Sequence, residues 1–290
     1  MSCPICGSDQ TQTKARQGIY DFLACTSCGV FFVSPMPEGD AVPEAGAHYT
    51  RAYYSGEMRE DEDAFESASI EGATKRLERI EALLGTRGLL VDVGTGTGYQ
   101  LAAARQRGWH VKGVEISLSA VEYARQTHGV DVMHGTLQQA QIPSGSVHAV
   151  ILSHVLEHVP NPLALLREVR RIIVPTGVLA VAVPNSRALL YRGYNLYHRV
   201  TGHYGKDKFS CSLAPPSHLY AFDVPSLTHA LQQTGFAVSS MTVTGKGDPE
   251  HYPVVSWKGA GRLAPVVRVL ETFGRKTGSG SLIECLARPA

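Results

Sequence analysis

The sequence predicts an α/β protein, a parallel sheet covered by helices on both faces, with a small cysteine-rich module ahead of it. Three observations carry this. From Gly88 onward, short apolar runs alternate with helical patterns, as βαβ units do. A glycine loop, Gly94-Thr95-Gly96-Thr97-Gly98, stands between a strand pattern and a helix pattern. Two Cys-x-x-Cys pairs, Cys3/Cys6 and Cys25/Cys28, lie close to the start.

The totals narrow the class. A chain of 290 residues suits one large domain with an appendage. Apolar residues at 43% and charged residues at 18% support a sizeable core and argue against disorder. A net charge of +1 lacks the basic excess of proteins that track along nucleic acid. The opening MSCPICGSDQ has no apolar run behind a basic flank, so no signal peptide is expected. The apolar stretch near Val178–Val183 is too short to span a bilayer. A cytoplasmic protein with no membrane partner is therefore expected. In that setting the cysteine pairs read as metal ligands rather than disulfides, leaving Cys211 and Cys285 as singles.

Residues 1–36 form the first predicted unit. Its two cysteine pairs are separated by 18 residues, and Gly7 and Gly29 follow them. Two such knuckles build a closed tetrahedral thiolate site, so Cys3, Cys6, Cys25 and Cys28 are expected to hold a structural Zn2+ as a zinc ribbon. Four cysteines leave no open position for catalysis at the metal.

Residues 37–84 read as a linker and helical lid. Tyr49, Tyr53 and Tyr54 form an aromatic patch, the acidic run Glu60–Asp63 follows, and Leu77, Ile80, Leu83 and Leu84 then recur at helix spacing until Gly85.

Residues 85–290 form the sheet domain. Strands are predicted at Leu89–Val93, His110–Ile116, Val130–Met133, Val147–Ser153 and Val178–Val183, with helices at Tyr99–Arg107, Leu118–Thr127 and Pro162–Ile173 between them. A helix at Leu227–Thr234 and strands at Ala237–Val243 and Ser281–Ala287 close the domain, and the last pair suggests an antiparallel edge. Leu263, Val266, Val267, Leu270 and Phe273 make one further amphipathic stripe, read as a helix packed on the fold.

The glycine loop points to a ligand class. A dinucleotide fingerprint needs glycine where Tyr99 stands, so that match fails. Asp92, at the end of the first strand, would repel a pyrophosphate but suits a ligand carrying an ammonium and a sulfonium. Glu115 ends the second strand 21 residues after Gly94, where a carboxylate can take both hydroxyls of a ribose. Together they fit S-adenosyl-L-methionine (SAM).

The stretch Leu89–Asn185 resembles the class I SAM-dependent methyltransferases along its length. The resemblance rests on Asp92-Val93-Gly94-Thr95-Gly96-Thr97-Gly98, Val114-Glu115-Ile116-Ser117, His154-Val155-Leu156-Glu157-His158-Val159 and Val183-Pro184-Asn185. Ser217-His218-Leu219-Tyr220-Ala221-Phe222 is similar to the subgroup of ubiquinone-type O-methyltransferases and tailoring enzymes. The resemblance implies a Rossmann-like seven-stranded methyltransferase sheet with a reversed final hairpin. It also implies that Asp92, Gly94, Gly96 and Gly98 face the methionine part of SAM, that Glu115 binds its ribose, and that Thr136, Leu137 and Ser153 complete the cofactor contacts. Thr136 stands where the family often has an acidic residue, His148 where Asp usually precedes the fourth strand, and Pro175-Thr176-Gly177 replaces the usual Pro-Gly-Gly turn. Similar ribbons precede this fold in sugar C-methyltransferases.

The acceptor is expected beyond the C-terminal strand ends. His154, Glu157 and His158 follow the fourth strand. An insert at residues 185–222 carries Tyr191, Tyr194, Tyr197, Tyr204 and Tyr220, of which the first three could share a helix face as an aromatic wall, or pack on the sheet. His154 and His218 are the candidate catalytic bases, because histidine suits proton transfer near neutrality. His154, Glu157 and His158 could also hold a second metal, and ubiquinone-type O-methyltransferases carry a comparable cluster there. These observations predict a methyltransferase for O- or C-methylation of a small molecule. The rivals are an RNA methyltransferase that grips nucleic acid with its ribbon, and a non-catalytic SAM-binding scaffold. Only Lys14 and Arg16 are basic in the ribbon, so nucleic acid is not the expected partner.

Overall fold

The structure is a computed structural model and describes residues 1–38, 62–201, 211–245, 248 and 264–290. Tyr49, Tyr53, Tyr54, Tyr204 and Leu263 lie outside the described residues.

The chain opens with three antiparallel strands, β1 (Thr11–Gln17), β2 (Tyr20–Cys25) and β3 (Phe31–Ser34). The long helix α1 (Glu62–Leu84) follows. Leu77 and Ile80 turn inward, and Gly85 ends the helix in the left-handed region that favours glycine. The alternating part then runs β4 (Leu89–Val93), α2 (Tyr99–Gln106), β5 (His110–Glu115), α3 (Leu118–His128), β6 (Val132–His134), β7 (Val147–Ser153), α4 (Pro162–Ile172) and β8 (Ile173–Pro184). The chain closes with α5 (Leu189–Val200), β9 (Tyr220–Ala221), α6 (Val224–Gln233), β10 (Phe236–Thr244), α7 (Ala264–Lys276) and β11 (Leu282–Pro289).

The main sheet has seven strands in the order β10-β11-β8-β7-β4-β5-β6. β4 pairs in parallel with both β5 and β7, while β11 runs antiparallel to both β8 and β10. The expected reversed edge is therefore one reversed strand inserted beside β8. The chain leaves β4 toward β5 and leaves β7 toward β8, so the strand order reverses between β4 and β7. Ligands bind at such a switch point, beyond the C-terminal strand ends.

Strand β8 begins five residues earlier than the apolar run suggests, because Pro175-Thr176-Gly177 sits inside it as an irregularity. The register steps from Val147↔Ile173 to Ala149↔Val178 there. A Cβ at Gly177 would lie 2.5 Å from Ile173 Cγ1, so glycine is what lets the backbone pass.

Each face of the sheet is buried separately. Leu77 and Ile80 of α1 share one core with Leu90 and Ile151. On the other face Ile5, Phe22 and Phe32 of the cysteine-rich segment join Val91, Leu152 and Phe222 in a single core. The small sheet is completed by β9, which pairs with β3 through Phe31↔Ala221 and Phe32↔Tyr220. The cysteine-rich segment is thus packed into the large domain and borrows a strand from it.

The stripe near Pro265 does form a helix, α7, but only Val267 and Leu270 turn inward. Val266 and Phe273 are exposed, because the buried face is shared with Glu271 and Gly274.

Candidate functional site

The residues expected to hold the cofactor gather where β4 and β5 end. Asp92 is buried, and its Oδ2 accepts a 2.8 Å hydrogen bond from Thr95 Oγ1. Burial pushes its carboxyl up to about 7, against the pull of Thr95 and of the Arg76 charge. Glu115 is also buried. Its Oε2 accepts from the Gly96 amide at 2.9 Å and its Oε1 from the Ser117 amide at 2.8 Å. Burial raises its carboxyl despite those amides. Each carboxylate oxygen has a second lone pair, so both can still accept from a diol.

The loop glycines are required by geometry. Gly94, Gly96 and Gly98 all have positive φ. A Cβ at Gly94 would lie 2.6 Å from Val155 Cγ2, and one at Gly98 would lie 2.9 Å from Ala124 Cβ. The first contact presses the glycine loop against the segment that follows β7. Gly135 donates its amide to the Glu115 carbonyl at 2.9 Å, which sets half-buried Thr136 and buried Leu137 beside Glu115. Thr136 is occupied locally, its amide donating to Gln139 Oε1 at 2.8 Å. Ser153 is half-buried at the end of β7.

His154 follows at once. It is a non-glycine residue with φ 57°, held by its amide donating 2.8 Å to the Ala182 carbonyl. Such strain clusters at functional positions. Its Nδ1 donates to Glu157 Oε1 at 3.1 Å, and the side chain is 39% exposed. Glu157 is almost wholly buried, and its Oε2 has no hydrogen-bond partner among the described residues. Burial pushes the Glu157 carboxyl up, but the His154 bond and the charges of His154, His158 and His218 together hold it below the usual carboxylate range.

His218 joins this group from 61 residues beyond Glu157 in the chain. Its ring meets that of His158 edge-on at 4.6 Å. His158 Nδ1 donates to the Ser217 carbonyl at 2.9 Å, and His218 Nδ1 to the Ser212 carbonyl at 2.8 Å. The ligand atoms of Glu157, His158 and His218 lie within 4.8 Å of one another. The set of ligand atoms close enough together to take a cation thus holds His218 where the sequence suggested His154, whose Nδ1 is bonded to Glu157 Oε1.

The tyrosines do not form a wall among the described residues. Tyr191 turns in toward Cys211 and Glu271, and burial pushes its phenol up to about 12. Tyr194 and Tyr197 are exposed, because each three-residue step rotates about 60° around a helix. Tyr220 is fully buried and donates its hydroxyl to the Pro160 carbonyl at 2.9 Å, a core role.

The four N-terminal cysteines converge. Cys3 and Cys28 Sγ are 3.7 Å apart, Cys6 and Cys25 Sγ 3.5 Å, and all four sulfurs lie within 4.8 Å of one another. A tetrahedral zinc with Zn–S of about 2.3 Å would set its sulfurs about 3.8 Å apart, so the cluster fits one. Gly7 and Gly29 donate their amides back to the Cys3 and Cys25 carbonyls with positive φ, closing both knuckles. The hydrogen bond with Cys28, helped by backbone amides, pulls the Cys3 thiol down to about 5, toward the thiolate that binds metal.

Sequence reasoning missed Arg76. From α1 it donates to Gln100 Oε1 and Glu284 Oε1, each at 2.9 Å, and places a cation near Asp92. No local motif marks it, because its partners sit 24 and 208 residues away.

A seven-stranded sheet with one reversed strand, carrying this glycine loop and carboxylate pair at its switch point, defines a class I SAM-dependent methyltransferase. The family described as "Methyltransferase domain" matches residues 64–241. The chain belongs to that family. A Mycolicibacterium smegmatis protein named "Probable S-adenosylmethionine-dependent methyltransferase/" is 27% identical over 150 residues, covering 51% of this chain and 52% of that protein. A ubiquinone biosynthesis O-methyltransferase of Xanthomonas oryzae pv. oryzae is 30% identical over 118 residues, 38% of this chain and 49% of the relative. The chain thus spans about half the length of the curated relatives it matches. The fold is shared with a SAM-dependent methyltransferase from Archaeoglobus fulgidus, with a TM-score of 0.51 at 17% identity over 74% of this chain and 92% of that one.

Proposed function

We propose that this protein transfers the methyl group of SAM to an oxygen or carbon of a small molecule. The observation that carries the reading is the contact between the two sides of the switch point. The glycine loop after β4 is pressed against Val155, next to His154. A methyl donor held by the loop would present its sulfonium to the segment carrying the histidine.

In this reading Asp92 with Gly94, Gly96 and Gly98 holds the methionine part of SAM, and Glu115 takes the ribose. Thr136, Leu137 and Ser153 line the remainder. The C–S bond of the sulfonium breaks as the bond from acceptor to methyl forms, and neutral S-adenosylhomocysteine leaves. The acceptor proton goes to His154. Glu157 fixes Nδ1 of that ring as the protonated nitrogen, which leaves Nε2 to accept. His218 faces the His158 ring instead, so its part is to shape the acceptor side. Cys3, Cys6, Cys25 and Cys28 would hold a zinc ion that supplies structure and no chemistry.

O-methylation is supported by the ubiquinone biosynthesis O-methyltransferase relative. An RNA acceptor is disfavoured by the ribbon, where Arg16 is already paired with Asp21 at 2.5 Å. The test supplies methyl-labelled SAM with lysate separated into small-molecule, RNA and protein fractions. Label should enter the small molecules, and His154→Ala should lower that turnover by about 10²–10⁴ with SAM affinity retained. Label in RNA alone would replace this reading by the RNA one, and no transfer to any fraction would favour a scaffold.

A further inference from the structure

Seven of the ten large apolar side chains that the described residues expose lie on just two helices, α5 and α7. On α5 they are Tyr194, Leu196, Tyr197 and Val200, the last 78% exposed. On α7 they are Val266, Val269 and Phe273. A surface helix ordinarily turns its apolar stripe to the core. Here α5 turns Tyr191 inward but has no fully buried residue, and Leu196 and Val200 sit one turn apart on its outer face. Val266, Val269 and Phe273 recur at helix spacing on the outer face of α7. The helices are neighbours: a Cβ on Gly193 would lie 3.5 Å from Leu270.

The exposed charges on these two helices have one sign. Arg192 and Arg199 are exposed on α5, and Arg268 and Lys276 on α7. α5 contains no acidic residue, and the one acid of α7, Glu271, is buried. This rim is local, since the whole chain carries only +1. A second copy of the chain is a poor occupant, because pairing these two helices with their own copies would set cation against cation, and neither helix exposes an acid to answer it. A surface that is apolar within and anionic at its face answers both features. Helices with apolar and aromatic side chains flanked by arginine and lysine lie in the headgroup layer of bilayers.

From this geometry we infer that α5 and α7 form a docking face for a lipid surface bearing anionic headgroups. The contact is peripheral, as no described helix is long and apolar enough to cross a membrane. It differs from the expectation of a protein without a membrane partner, which rested on the lack of a signal peptide and of a long apolar stretch. That expectation judged spanning segments, whereas this face depends on which side of two short helices points outward. The inference does not depend on which acceptor is methylated.

Sedimentation of the full chain with vesicles tests it. Vesicles containing about a third phosphatidylglycerol should bind at least about tenfold more protein than phosphatidylcholine alone, and salt should weaken the binding. The double variant Leu196→Ser/Phe273→Ser should lose about tenfold in partitioning. Arg192→Glu/Arg268→Glu should lose the preference for the anionic vesicles. SAM affinity and melting temperature, read alongside, should stay near native in both, showing that the fold is intact. Equal binding to both vesicle types, no binding, or unchanged binding of the serine variant would overturn the inference. So would a concentration-dependent dimer that Phe273→Ser dissolves without any vesicle binding, which would assign the face to a second copy.

Discussion

The proposed donor side and the proposed acceptor side of this molecule are built in different ways. Asp92, the glycine loop, Glu115 and Thr136 come from one run of chain crossing three adjacent strands, and their polar bonds close within it. Thr95 satisfies Asp92, and Gly96 and Ser117 satisfy Glu115. The acceptor side is assembled from distant pieces. The Glu157 carbonyl accepts from the Leu219 and Tyr220 amides, the Leu219 carbonyl accepts from Val33 of the ribbon, and one oxygen of the Glu157 carboxylate is left without a partner. On this assignment cofactor binding should survive damage that acceptor chemistry does not. The ribbon belongs to the acceptor half, since its last strand pairs with the segment just after His218.

Removing the metal proposed for the four-cysteine cluster should break this contrast most visibly. Structural zinc in small modules contributes about 10–16 kcal/mol of apparent binding energy, enough to decide whether residues 1–36 stay folded. Elemental analysis of chelator-washed protein should find one zinc per chain, and Cys25→Ser should lose it. Loss should loosen β3 and with it β9, so amide hydrogens of Leu219 and Tyr220 should exchange faster. Asp92, Glu115 and the loop share no hydrogen bond with the ribbon, and SAM affinity should hold. A metal-free ribbon as resistant to proteolysis as the native one would contradict the zinc assignment. Parallel loss of SAM binding would show that the two sides are not separable.

The same contrast explains what could be read from the sequence. Local periodicity and a local motif placed β4, β5, β7, their helices, the glycine loop and both donor carboxylates, because each signal and its structural cause lie within a few residues. The four cysteines were legible for the same reason. What depends on distant contacts was not. Nothing near Tyr220 says that it completes the ribbon sheet, and Arg76 reaches Glu284 across most of the chain. His218 was picked out as a residue, but its place against His158 depends on the bonds from His158 to the Ser217 carbonyl and from the Leu219 amide to the Glu157 carbonyl, across about 60 residues of chain. The α5 tyrosines were read as able to share one helix face, but a spacing of three turns each successive ring by about 60°, so Tyr191 faces inward while Tyr194 and Tyr197 face out.

On the donor side itself, Glu115→Ala sharpens the comparison. The carboxylate already orders the Gly96 and Ser117 amides, so its loss should cost both the ribose contact and part of the loop's shape. Calorimetry should show SAM binding weakened by roughly 1.5–3 kcal/mol, the scale of hydrogen bonds to a charged group. The ribbon should keep its zinc. Unchanged affinity would remove Glu115 from the cofactor site.

The smallest effect concerns protons at Asp92. Burial raises its carboxyl to about 7, so the free protein holds a proton there below that pH, while an unfolded chain would have released it near 4. The folded state binds this proton more tightly, so the contribution of Asp92 to stability is present at low pH and declines as pH rises from about 4 to about 7. Ligand binding has the opposite sense. A cationic ligand prefers the carboxylate, so SAM affinity should rise with pH below about 7 and level off above it. The slope should approach about tenfold per pH unit where protonation competes fully. Binding below pH 7 should release a proton, measurable as a dependence of the observed heat on the ionisation heat of the buffer. Asp92→Asn should bind more weakly above pH 7 and lose most of the slope, and any remainder would report Glu115, which burial also raises. A flat profile in the native protein would mean that Asp92 does not face the charged end of the cofactor, even though it sits beside the glycine loop.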